Sequence, residues 1–161
     1  MYFLTEIRLN DFGGNAAPAA GRFRLVSRCT DPLLRQSADV FQAVGALENN
    51  DQRQAIKGLA HLVKLAQLGK PFNQLADSKT VHEAFAPFFC EVTKRNETVW
   101  RYRHGDIRIL FYYAADKVVL LTHTLPKRRD QLSEKDKRHA QQSVVDFLSA
   151  TQSETGLQWI Q

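Results

Sequence analysis

The stretch from Trp100 to Arg129, WRYRHGDIRILFYYAADKVVLLTHTLPKRR, constrains this chain more than any other. Residues 107–113 (IRILFYY) are mostly β-branched or aromatic, the composition of a central strand. Gly105-Asp106 before them and Ala115-Asp116-Lys117 after them are turn formers, because Gly tolerates positive φ and Asp bonds its own backbone. WRYRH (100–104), IRILFYY and VVLLTHT (118–124) therefore read as three strands of an antiparallel meander. Alternation puts Trp100, Tyr102 and His104 on one side of the first strand, with Arg101 and Arg103 on the other. In the second, Arg108, Leu110 and Tyr112 share a side, opposite Ile109, Phe111 and Tyr113. Pro126 cannot donate to a ladder, so the run ends there and passes into Lys127-Arg128-Arg129.

Charge singles out the same region. Residues 94–138 hold twelve Lys and Arg against six Asp and Glu, a surplus of six, whereas the whole chain carries only +5. The rest of the molecule is thus slightly acidic. A basic surface confined to one sheet and its exit loop points to a polyanionic partner, most simply nucleic acid. The plainer alternative is a solvated, charge-blunted sheet edge.

The remaining sequence builds one domain around that meander. YFLTEIRL (2–9) alternates like a strand and leads into a Gly/Ala/Pro-rich loop, so residues 1–22 read as an N-terminal strand and mobile loop. FRLVSRC (23–29) is a second strand candidate. Thr30-Asp31-Pro32 resembles a helix start, and Leu33, Leu34, Ser37, Val40, Phe41, Val44 and Leu47 share one helical face over 33–47. Asp51 is placed to cap a second helix over 52–68, with Ile56, Leu59, Ala60, Val63, Ala66 and Gln67 on its stripe and Leu62, Leu65 and Leu68 widening it. Gly69 and Pro71 stop that helix. The two helices form a hairpin whose apolar faces need a sheet, and the meander is the obvious one. A short helix at 80–85, a strand within 87–93 and an exposed turn at 94–97 lead back to Trp100. Ser133 then caps a last helix to about Ala150, and residues 151–161 form a polar tail whose Leu157, Trp159 and Ile160 can dock locally or on a partner.

Several function classes find no support. No apolar run approaches the roughly 20 residues that span a bilayer. Glu6 and Arg8 interrupt any signal-peptide core, so a cytoplasmic protein is expected. Cys29 and Cys90 are far apart, and the five histidines show no ligand spacing, so neither zinc, disulfide nor other cofactor is predicted. Nucleotide-binding glycine loops and the serine-hydrolase elbow are missing.

Three pieces of the meander resemble one known family. Val99-Trp100-Arg101-Tyr102-Arg103 resembles its aromatic strand ending in Arg. Gly105-Asp106-Ile107-Arg108-Ile109-Leu110-Phe111-Tyr112 is similar to its glycine turn and following Arg-containing strand. Leu120-Leu121-Thr122-His123-Thr124-Leu125-Pro126-Lys127-Arg128 resembles the strand that enters its Lys-rich loop. With the order of elements, these resemble the RelE/ParE superfamily of type II toxins, in its HigB-like, phage-derived branch. The likeness runs over residues 23–148 and is specific over 99–129. Residues 1–22, Ile107 in place of an aromatic, a long 70–92 stretch and Pro126 depart from the pattern.

The resemblance implies an α+β RelE-like fold over 23–150, in which a helical hairpin and a C-terminal helix pack on a small antiparallel β-sheet. It also implies a toxin that cleaves mRNA on the translating ribosome without metal, neutralised by a cognate antitoxin protein. Such cleavage drives the 2′-hydroxyl onto the adjacent phosphate, which needs a base, a cation for the phosphorane charge and an acid for the leaving oxygen. Arg103 and Arg108 are the expected phosphate clamps, since guanidinium forks match phosphate oxygens. His123 is the expected acid or base, and Lys127 the transition-state cation. Arg101, Arg128, Arg129 and Tyr112 are the expected RNA contacts, Tyr112 through base stacking. Each has a structural alternative: an ion pair for Arg108, an interior histidine for His123, packing for Tyr112 or Tyr113, solubility for residues 127–129. A non-enzymatic protein on the same fold, a gyrase poison or a phage-encoded inhibitor of a host protein, is the alternative function.

Overall fold

The meander forms where the sequence places it, but as part of a larger sheet. In the computed structural model, which describes all residues except 127–130, 155 and 161, the strands are β1 (Tyr2–Glu6), β2 (Arg24–Cys29), β3 (Val81–Glu83), β4 (Phe88–Cys90), β5 (Arg95–Glu97), β6 (Trp100–His104), β7 (Ile107–Tyr113), β8 (Val118–Pro126) and β9 (Leu157–Ile160). The helices are α1 (Asp39–Gly45), α2 (Asn49–Ala66), α3 (Phe72–Leu75) and α4 (Glu134–Thr151). Seven strands make one sheet in the order β3-β6-β7-β8-β2-β1-β9, and β4 and β5 pair separately. The class is α+β. The sheet is not small and antiparallel, however, because β2 runs parallel to β8 and β9 parallel to β1. Both terminal segments thus add strands to the same sheet as the meander.

Each face of that sheet has its own core. On one, Ala55, Leu59, Leu62, Val63 and Ala66 of α2 pack against Tyr102, Ile107, Ile109, Phe111 and Leu121. On the other, Ala140, Val144 and Phe147 of α4 pack against Leu4, Val26, Leu110, Tyr112 and Leu120. Burial from both sides explains why β7 is apolar or aromatic at nearly every position. Gly58 sits where α2 meets β6, and a Cβ there would lie 2.9 Å from the Cβ of His104.

Local hydrogen bonding overrides several expectations. The helix anticipated from Leu33 begins at Asp39, and Leu33 is 94% exposed. Asp31 bonds Leu33 N, and Ser37 Oγ accepts from Asp31 N, so residues 31–37 fold into turns instead. α2 starts at Asn49, with Glu48 as its cap residue and Asp51 inside its first turn. Its buried stripe follows Ala55, Leu59, Leu62, Val63 and Ala66, which leaves Ile56 and Leu68 exposed. The helix expected at 80–85 is strand β3: Asp77 accepts from Lys79 N and Thr80 N, and the chain then leaves extended along β6. Lys94 takes a positive φ, and Arg95–Glu97, expected as a turn, is a strand that ends on the buried Glu97. α4 matches its expected start, with Ser133 Oγ accepting from Asp136 N.

Candidate functional site

The α4 face of the sheet carries the basic residues in register. Cross-strand partners His82 and Arg101, Arg101 and Leu110, and Leu110 and His123 form one row over β3, β6, β7 and β8. Arg103, Arg108 and Leu125 form the next row. The N-terminal half of α4 lies over this region, and a cleft opens on each side of it.

The first cleft holds about 270 Å³ and is lined by His82, Phe85, Arg101, Arg108, Leu132 and Lys137, among others. Arg108 is 3% exposed and Arg101 9%. No acidic side chain among the described residues lines it. Arg101 Nη2 donates to Lys79 O at 3.2 Å, but its Nε is buried and has no partner among the described residues. Burial, with Arg108 and then Arg103 nearby, holds the Arg101 guanidinium below its ordinary pKa. Arg103 is more exposed and folds back on its own turn, donating from Nε to Gly105 O at 3.3 Å. Lys137 pairs with Glu134 at 3.2 Å.

The second cleft holds about 250 Å³ between β8, α1 and α4, and its lining includes Arg28, Asp39, Thr122, His123, Thr124 and His139. It opens beyond the β2–β8 pairing, which runs from Arg24 opposite Val118 to Val26 opposite Leu120. A bulge sits beside it: Leu110 faces His123 but Phe111 faces Leu121, so Thr122 is the extra residue and re-aims the strand. His123 Nε2 lies 3.2 Å from Asp136 Oδ1, and since a carboxylate only accepts, that nitrogen carries the proton. The His123 and His139 rings are 4.6 Å apart. Burial and then His139 push the His123 pKa down, against the opposing pull of Asp136. Burial raises that of Asp39, with Arg28 and His139 opposing.

The structure therefore brings Arg101, Arg103 and Arg108 together and sets His123 apart, beyond Leu110 and under α4. Lys127, Arg128 and Arg129 lie outside the described residues. Tyr112 is not available for stacking: it is 5% exposed, and its hydroxyl donates to Glu97 Oε2 at 2.7 Å. Burial and then Glu97 raise its pKa. Tyr113 is likewise structural, accepting from Phe72 N and donating to Asn73 Oδ1. Trp100 packs on Tyr113 in the α2-side core.

Sequence reasoning missed His82, Phe85, Lys137 and His139. His139 stands three residues after Asp136 in a helix, which places both on one side and was readable. His82 and Phe85 had no such signal, because nothing local shows that residues 81–83 pair with β6. No family model and no curated protein matches the chain. Among the described residues, no group of three or more His, Cys, Asp and Glu is arranged to hold a metal ion, and no helix is long and apolar enough to cross a membrane.

Proposed function

We propose that this protein is a metal-independent endoribonuclease of RelE/ParE type, in the HigB-like branch. In this proposal it is a type II toxin that cuts mRNA on the translating ribosome and is held in check by a cognate antitoxin. The observation that carries the proposal is the pair Arg101 and Arg108, buried on adjacent strands and lining one cleft with Lys137. A buried guanidinium donor without a partner is costly, and an anion in the cleft would meet the Arg101 Nε, which has none among the described residues. Planar forks suit phosphate oxygens and a phosphorane's developing charge. The order of elements from β2 through the helices to β6, β7, β8 and α4 supports the same family, with β1, β3 and β9 as additions to it.

One observation favours the non-enzymatic alternative, a gyrase poison or phage-encoded inhibitor: His123 is separated from the arginines and bonded to Asp136. Inducible expression with primer-extension mapping of cellular mRNA distinguishes the two. Growth arrest with new cuts inside translated messages, lost in a folded Arg108→Ala variant, is the expected result. Arrest without cuts, accompanied by altered DNA topology, would transfer the protein to the second class.

A further inference from the structure

We infer that His82 is the group that takes the 2′-hydroxyl proton, which centres strand scission in the arginine cleft; this inference rests on the ribonuclease proposal above. His82 and Arg101 are direct cross-strand partners on the α4 face, so their Cβ atoms are about 4.5–5.5 Å apart. Both line the same cleft as Arg108 and Lys137. His82 Nδ1 lies 2.6 Å from the carbonyl oxygen of Glu83. A carbonyl only accepts, so Nδ1 donates to it, and Nε2 is the ring nitrogen left for the substrate. A base whose tautomer is fixed by a second group is the arrangement that proton abstraction requires.

His123 lacks these properties. It stands at the opposite end of the row, two interstrand steps from Arg101, roughly 10 Å at about 4.8 Å per step. A base has to reach its proton directly or through one water, and a phosphate held by Arg101 is beyond that range. Its Nε2 proton is also committed to Asp136.

In the step itself, His82 Nε2 takes the 2′-hydroxyl proton as the O2′–P bond forms. The negative charge on the equatorial oxygens faces Arg101, whose buried Nε–H has no partner among the described residues. The P–O5′ bond then breaks with its electron pair on O5′, which takes a proton from solvent water. The hydroxide so formed recovers the proton from His82. The products are a 2′,3′-cyclic phosphate and a 5′-hydroxyl, and no co-reactant is consumed.

The test is single-turnover cleavage of mRNA on programmed ribosomes by the full chain, comparing wild type, His82→Ala and His82→Gln, each checked for folding by circular dichroism. Both variants are expected to cut at the wild-type position about 10²–10⁴-fold more slowly. Both should bind an mRNA carrying a 2′-deoxynucleotide at the cut site within twofold of wild type, and imidazole in the buffer should accelerate His82→Ala but not Arg101→Met. Cleavage by His82→Ala within threefold of wild type would overturn the assignment of His82 and leave the ribonuclease proposal standing. A slow His82→Ala that imidazole fails to accelerate would also overturn it. Absence of cuts by wild type would instead remove the ribonuclease proposal and, with it, this inference.

Discussion

Replacing Arg101 by Met should make the protein more stable and less active at once. In the native state, the Arg101 Nε is buried without a partner among the described residues, and the guanidinium lies near Arg108 and Arg103. An unsatisfied buried donor costs about 1–3 kcal/mol. Met keeps most of the aliphatic stem, which stands opposite Leu110 on the neighbouring strand, and introduces no polar atom that needs a partner. Among the described residues the one bond lost is Nη2 to Lys79 O, and Lys79 is exposed, so water can satisfy that carbonyl. The net gain is then about 1–2 kcal/mol, which for a domain of this size raises Tm by roughly 2–8 °C. Removal of one preorganised cation should meanwhile slow RNA cleavage by about 10²–10³-fold. Urea titration followed by circular dichroism, beside primer-extension mapping, measures both quantities. Arg101→Lys should lose activity without the gain in stability, since a point charge keeps the repulsion but not the fork. A fall in stability of 1 kcal/mol or more for Arg101→Met, a threshold on the scale of one hydrogen bond, would show that the guanidinium holds the fold together and refute this reasoning.

Other perturbations have equally definite directions. Gly58→Val should destabilise by about 1–3 kcal/mol through overpacking, since even a bare Cβ meets that of His104 at 2.9 Å; chemical denaturation measures it. Tyr112→Phe should cost about 1–3 kcal/mol by leaving the buried Glu97 with one donor fewer, although Arg95 still bonds that carboxylate; a cost below 0.5 kcal/mol, less than the smallest typical net hydrogen bond, would mean that water replaces the phenol. Burial holds the pKa values of both His104 and His123 below the ordinary imidazole value. As pH falls through about 6.5, the unfolded chain therefore gains protons first and stability declines. Thermal melts between pH 7.5 and 5 should show the decline, and the double variant His104→Gln, His123→Gln should flatten it.

The parts legible in the sequence are those specified by local chemistry. Gly105-Asp106 and Ala115-Asp116-Lys117 set the meander, the composition of 107–113 marked a central strand, and Ser133 capped α4 where expected. The three- and four-residue spacing identified α2 but not its rotation, because Ile56 and Leu68 are as apolar as the residues that are buried. Non-local pairing was not legible. Nothing in residues 81–83 shows that they border β6, so the edge strand that carries His82 read as a helix. Nothing in residues 157–160 shows that they run parallel to β1. The arginines were legible as a cluster because alternation on adjacent strands fixes their side. The position of His123 was not, since it depends on a bulge at Thr122 and on where α4 crosses.

That crossing accounts for the clefts. The α4 face is apolar where Leu110, Leu120 and Val26 meet Ala140, Val144 and Phe147, and basic where β6 and β3 extend beyond the helix. Arg101 keeps a buried Nε without a partner among the described residues, a donor that an anion in the cleft would satisfy. Anion occupancy of the arginine cleft and stability of the fold should therefore be linked. An anion that binds only the native state adds RT ln(1 + [L]/Kd), about 1.4 kcal/mol at ten times Kd. Sulfate also stabilises any protein by exclusion from its surface, so the informative quantity is the difference between wild type and Arg101→Met. Tm should rise more steeply with sulfate in the wild type and level off as the site fills, while the variant shows only the shallow, unsaturating slope of exclusion. Parallel slopes in the two proteins would mean that the arginines bind no tetrahedral anion in the free protein. The buried Arg101 Nε would then stay uncompensated at every sulfate concentration, and the stability gain of Arg101→Met should persist throughout the titration.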